Sequence, residues 1–256
     1  MSAALDRLAG RCILFTGAAG GLGRPTVLAF LREGARVVAV DNDPAKLDAL
    51  RAAADMAGLG ARLVPTALDL SDLATLRTGL DNSSAETGGF DTVINNAAIY
   101  PSKPFEDYTI EEIQHVQRVN VDAGIVCVQA ALSHMRAREF GRIVNVASVT
   151  LSGGWALLSP YVQSKGALLG LTRAWAREFG PYGVTVNAIA PGAFPTDAEA
   201  IHPDPESYQR YVLERQAVKR RGMPDDMANA LLFLIAAESG FVTGQMLNVD
   251  GGWWMG

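Results

Sequence analysis

Within the stretch NVASVTLSGGWALLSPYVQSK (145–165), three side chains have the chemistry to hold an oxygen and move a proton: Ser148, Tyr161 and Lys165. Tyr161 and Lys165 stand four apart. On a helix such positions share a face, so a phenol and an ammonium there can address one ligand. A phenol with an ordinary pKa of about 10 is a poor base at neutral pH, and a neighbouring cation would lower it toward the working range. Ser148, thirteen residues before Tyr161, closes an apolar run and can hold a substrate oxygen. Singly, each has an ordinary structural role as core tyrosine, solvated lysine or capping serine, so the elements that carry them decide the matter.

Short β-branched runs at 11–15, 35–40, 61–67, 91–96, 141–148, 184–191 and 245–251 read as strands. Between them, apolar residues at three- and four-residue spacing predict helices near 25–33, 44–56, 72–83, 110–135, 161–179, 205–216 and 224–237. Strand and helix in alternation mean an α/β fold, a doubly wound parallel sheet with helices on both faces. The patch NSSAETGG (82–89) reads as a loop, and no stretch resembles an interdomain linker. One domain over 1–256 is expected. Ser148 then ends the fifth strand, at the edge where open α/β sheets bind ligands.

The first strand runs into FTGAAGGLGRP (15–25), whose Gly17, Gly21 and Gly23 permit a tight turn that brings amide N–H groups to a diphosphate at a helix start. No Gly-Lys-Ser/Thr follows, which excludes a Walker loop. Asp41 ends the second strand, where its carboxylate can accept from both adenosine ribose hydroxyls of NAD and would repel the 2′-phosphate of NADP. Gly20 and Asn42 stand where a cation would serve NADP, and Asp43 can cap the following helix. Asp69, at the end of the third strand, can bond an adenine amino group or cap the helix after DLSD.

The chain of 256 residues is 49% hydrophobic and 19% charged, with a net charge of −5. That balance supplies no basic face for nucleic acid. Cys12 and Cys127 lie in apolar runs and read as buried free thiols, suiting a reducing compartment. No apolar run of about 18 residues and no charged leader is present, so no membrane partner and a cytoplasmic location are expected. No metal is called for.

From about residue 8 onward the chain resembles the short-chain dehydrogenase/reductase family. The resemblance is carried by Thr16-Gly17-x-x-x-Gly21-x-Gly23, Asp69, NNAA (95–98), Asn120, Ser148, Tyr161-x-x-x-Lys165, PGAFPT (191–196) and TGQMLNVDGG (243–252). Glycine is commoner than Ala98 at the end of NNAA. The resemblance implies a Rossmann-like seven-stranded sheet, a nicotinamide cofactor and a homotetramer. It implies catalysis by Ser148, Tyr161 and Lys165, with Asn120 holding a water that links Lys165 to solvent. Cofactor contacts would come from Gly17, Gly21, Leu22, Gly23, Asp41, Asp69, Leu70, Asn96, Ala97, Tyr161, Lys165, Pro191, Gly192, Phe194 and Thr196.

An NAD-dependent oxidoreductase interconverting a secondary alcohol and a ketone is therefore expected. A silent cofactor-binding protein is the alternative; an epimerase or dehydratase fits less well, since no added C-terminal substrate domain follows. Residues 193–222 are long, polar and proline-rich, as in a lid, and include His202, a solvated loop residue or a substrate contact. Tyr100, Trp155, Leu158 and Phe194 come from loops at one sheet edge and would make an apolar, aromatic pocket. The stretch NNAAIYPSKPFEDYT resembles members acting on aryl or alkyl secondary alcohols, and sugars and acyl thioesters stay open. Two tryptophans, Trp253 and Trp254, close the chain; burial in a subunit contact is expected, with burial in their own subunit the competing account.

Overall fold

The computed structural model describes residues 6–196, 199 and 204–255; His202 lies outside them. Seven strands, β1 (Cys12–Thr16), β2 (Arg36–Asp41), β3 (Leu63–Ala67), β4 (Thr92–Asn95), β5 (Gly141–Val146), β6 (Val184–Pro191) and β7 (Met246–Val249), form one sheet in the order β3-β2-β1-β4-β5-β6-β7. Every adjacent pair is parallel. The strand order reverses between β1 and β4, the place where a doubly wound sheet opens a crevice at its carboxyl edge.

Strand alternation builds two cores. Ile13 and Phe15 of β1, with Val37 and Ala39 of β2, face helices α1 (Gly23–Arg32), α2 (Pro44–Met56) and α9 (Pro224–Ile235). Cys12 and Leu14, with Val38 and Val40, face α3 (Leu73–Thr87), α5 (Ala123–Ala137) and α7 (Ser159–Phe179). Both faces are covered, which is why the strands read as continuous apolar runs rather than alternating ones. Cys12 and Cys127 are free and buried, and burial pushes the Cys127 thiol up to about 12.

Three local expectations are corrected. Residues 82–87 belong to α3, which stops only at Gly88, in the left-handed conformation with φ 86°. Asn82 and Glu86 are exposed on a helix that buries Leu76, Leu80 and Ser83, and Thr87 Oγ1 donates to the Ser83 carbonyl at 2.7 Å. The long helix expected over 110–135 is broken: α4 (Ile110–Gln117) passes through a π-helical turn, Arg118–Asp122, into α5. Such turns insert a residue into the helical ladder and often mark functional sites. Finally, β3 ends at Ala67, so Asp69 lies beyond it, and α3 is capped by Asp72, whose carboxylate accepts from Thr75 N at 3.1 Å. A short helix, α6 (Thr150–Gly153), after β5 and the helix α8 (Pro205–Arg215) complete the carboxyl edge of the sheet.

Candidate active site

A cleft of about 610 Å³ opens at that edge. The glycine turn forms one end of it. Gly17 sits at φ +65°, and a Cβ there would stand 2.9 Å from Ala97 Cα, so both the conformation and the close approach call for glycine. Asn96 holds this contact: its Nδ2 donates to the carbonyls of Thr16 and Gly17 at 3.0 and 3.1 Å, while Thr16 Oγ1 accepts from Asn96 N and Ala97 N. The N-cap of α1, Leu22, offers no side-chain cap, and the first turn holds no acid. The positive end of the helix is thus left for an anionic group.

Asp41 is held beside that turn. Its carboxylate accepts from Ala19 N at 3.0 Å and from Asp43 N at 3.2 Å, while Asp43 caps α2 through Ala45 N and Lys46 N. Asn42 and Lys46 line the cleft here as well. Uncapped helix N–H groups, a glycine surface and an oriented carboxylate are donors and acceptors suited to the diphosphate and adenosine ribose of a nicotinamide dinucleotide. Asp69 also lines this end, and its Oδ1 accepts from Ser71 N at 2.8 Å.

The other end holds the proton-transfer candidates. Buried amides fasten α7 to the sheet: Asn95 Nδ2 donates to Asn145 Oδ1, Asn145 Nδ2 to Thr172 Oγ1, and Thr172 Oγ1 to the Leu168 carbonyl, at 2.9, 2.9 and 2.8 Å. This fixes the face that carries Tyr161 and Lys165. Ser148 hydrogen-bonds the Tyr161 phenol and accepts from Thr150 N at 3.2 Å. Lys165 is 1% exposed; its Nζ donates to the Val146 carbonyl at 2.7 Å and lies 5.4 Å from the centre of the Tyr161 ring.

The electrostatics differ from expectation. Burial raises the Tyr161 phenol above its ordinary value, against the lowering effect of the Ser148 hydrogen bond, and burial pulls Lys165 down to about 7. Both groups share one poorly solvated pocket, so burial favours the neutral form of each.

Among the described residues, every one expected to touch cofactor or substrate lines this cleft; Asn120, expected to hold a water linking Lys165 to solvent, does not. Asn120 is buried on the π-helical turn, where its Oδ1 accepts from Ile99 N at 2.8 Å and its Nδ2 donates to the Ile99 carbonyl and to Ser164 Oγ at 2.9 and 3.0 Å. Its amide ties the segment after NNAA to the residue before Lys165. Of the tail tryptophans, Trp253 packs on Trp155 and Tyr211 of its own chain, and Trp254 packs on the small cluster of Ala147, Val149, Ala188 and Ala190. Sequence reasoning did not place Trp253, Tyr208, Thr150, His115 or Glu199 on the cleft wall. The paired tryptophans gave a signal for Trp253; nothing in the local pattern marked the others.

A family model described as enoyl-(acyl carrier protein) reductase matches residues 17–254. The chain belongs to the short-chain dehydrogenase/reductase family. A subunit of (2S)-((R)-hydroxy(phenyl)methyl)succinyl-CoA dehydrogenase from Thauera aromatica is 37% identical over 244 residues, covering 94% of this chain and 96% of the relative. The crystal structure of a 3-oxoacyl-(acyl-carrier protein) reductase from Brucella melitensis with bound NAD has a TM-score of 0.89 at 32% identity, covering 99% of this chain and 95% of that one. A gluconate 5-dehydrogenase from Burkholderia cenocepacia in complex with NADP and tartrate has a TM-score of 0.90 at 30% identity, covering 99% and 98%. Members of this family are nicotinamide-dependent oxidoreductases, and of the two solved structures one holds NAD and the other NADP. Among the described residues, no helix of this chain is long and apolar enough to cross a membrane.

Proposed function

We propose that this protein is an NAD-dependent dehydrogenase/reductase interconverting a secondary alcohol and a ketone. The observation that carries the reading is that Ser148, Tyr161 and buried Lys165 line one cleft together with Asp41. When bound, the dinucleotide supplies the hydride acceptor or donor. Ser148 holds the substrate oxygen. Tyr161 exchanges the hydroxyl proton with it, and Lys165, titrating near neutrality, supports the phenolate by taking up positive charge when the phenol ionises. Asn120 is a positioning residue, acting through Ile99 and Ser164 rather than on a reacting atom. Asp41 supports NAD over NADP, because a carboxylate at the end of β2 would hold the adenosine ribose hydroxyls of NAD and would repel the extra phosphate of NADP. Exposed Phe233, Phe241 and Leu247, near the edge strand β7, support self-association through that edge into the homotetramer expected from the resemblance.

Tyr161→Phe keeps the ring and removes the proton-transfer group. Turnover is expected to fall about 10²–10⁴-fold, with cofactor binding nearly intact. A variant retaining more than roughly half of the wild-type turnover would exclude Tyr161 as the proton-transfer group.

A further inference from the structure

The substrate end of the cleft is walled by aromatic rings from three separate segments. Trp155 comes from the loop after α6, Tyr208 from α8 and Trp253 from the C-terminal tail. Behind them Tyr211 makes edge contacts with both indoles, its ring centre 6.4 Å from Trp155 and 5.7 Å from Trp253; the indoles meet each other at 5.8 Å and 68°. Tyr208 stacks on Tyr211 at 6.4 Å, and Arg215 lies 3.6 Å over the Tyr211 ring.

This wall is held in place by its surroundings. Asp250 is 5% exposed, and its two oxygens accept from Gly252 N and Trp254 N, both at 2.9 Å, closing a turn that sends the two indoles to different places. Asn248 Nδ2 donates to the Trp254 carbonyl at 3.1 Å, and Val218 N to the Gly251 carbonyl at 2.8 Å, tying the tail to the chain leaving α8. A Cβ at Gly153 would collide with the Trp254 ring, so that glycine admits it.

Charge is scarce at this end. Glu199 is paired with Arg221. Among the described lining residues there is no arginine, and the lysines are Lys165, bonded to the Val146 carbonyl, and Lys46, at the Asp41 end. A substrate carboxylate or phosphate inside the cleft would find no free arginine or lysine at this end, whereas a flat apolar group would meet rings already fixed in place.

We infer that Trp155 and Trp253, braced by Tyr211, form a specificity site for a planar aryl group on the carbinol carbon, so that the substrates are aryl secondary alcohols and the matching aryl ketones. This rests on the alcohol/ketone reading above. The site lies outside the proton-transfer residues and selects by ring stacking.

The test compares kcat/KM for 1-phenylethanol and 2-butanol in wild type, Trp253→Leu and Trp254→Leu, with binding of acetophenone followed by tryptophan fluorescence. Wild type is expected to favour the aryl alcohol by at least tenfold. Trp253→Leu should lower that aryl-to-alkyl ratio about tenfold and weaken acetophenone binding by a similar factor. Trp254→Leu, which disturbs the tail without touching the cleft, should move both alcohols together and leave the ratio within twofold.

A wild-type ratio near one, or an equal loss of ratio in the two variants, overturns the aryl site while leaving the oxidoreductase reading in place. Saturable acetophenone binding that Trp253→Leu weakens, with neither alcohol turned over, supports the site and sinks the alcohol/ketone reading instead. Should Trp253→Leu fail to fold, Tyr211→Leu carries the same prediction through loss of the brace.

Discussion

Replacing Lys165 by Met tests the electrostatic account of the site without using activity. The ammonium is 1% exposed, and burial brings its pKa from 10.5 down to about 7. Below about pH 7 the folded and unfolded chains both carry the proton, so folding buries a charge. Between about 7 and 10.5 only the unfolded chain carries it, and the stability of the wild type therefore rises with pH across that window. One pKa unit is worth about 1.4 kcal/mol, so the interval from about 7 to 9 relieves on the order of 3 kcal/mol of the burial penalty. Lys165→Met carries no such penalty at any pH, and groups common to both proteins cancel in the difference. Urea unfolding of both cofactor-free proteins at pH 6 and pH 9 should show the variant's advantage over wild type shrinking by about 2–3 kcal/mol at the higher pH. A difference unchanged between the two pH values would mean that Lys165 keeps its ammonium when buried, and the neutral-pH titration assigned to this site would be wrong.

Cofactor choice turns on Asp41. Two charges about 4 Å apart at an effective dielectric of about 20 repel by about 4 kcal/mol, reduced by solvent and salt. Lys46 lines the same end of the cleft and offsets part of this, so at least about tenfold preference for NAD in kcat/KM is expected. Asp41→Ala should weaken NAD binding and narrow that ratio; equal use of both dinucleotides by the wild type would show that Asp41 does not read the ribose. Thr172→Val keeps the shape of a fully buried residue but leaves the Asn145 amide without its acceptor, which should cost about 1–3 kcal/mol in urea unfolding, with Thr172→Ser recovering most of it. A neutral Thr172→Val would mean that this amide finds another acceptor and that the Asn95–Asn145–Thr172 chain does not hold α7.

The inner strands were legible because each is short, apolar and buried on both faces, a pattern that survives whatever packs against it. The helix ends were less so. Asn82, Ser83, Ser84 and Thr87 have the letters of a loop, yet α3 buries Leu76, Leu80 and Ser83 itself and stays helical through Thr87. The π-helical turn at Arg118–Asp122 is a shift in the hydrogen-bond ladder that no residue type in RVNVD announces.

Residue types and spacing alone determined the parallel α/β fold, the glycine turn, the acid at the end of β2 and the shared face of Tyr161 and Lys165. These follow from backbone geometry and from periods of two and 3.6 residues, which are local properties. Only the tertiary structure decided what surrounds those groups. Burial raises the phenol that an isolated Tyr–Lys pair would have lowered, and Asn120 is bonded to the Ile99 backbone instead of lining the cleft. The tail likewise turns Trp253 onto Trp155 and Tyr211, residues about 100 and 40 positions away in the chain. Desolvation and such long-range contacts depend on residues that sequence spacing does not connect, so they became visible only when the sheet brought its loops to one edge.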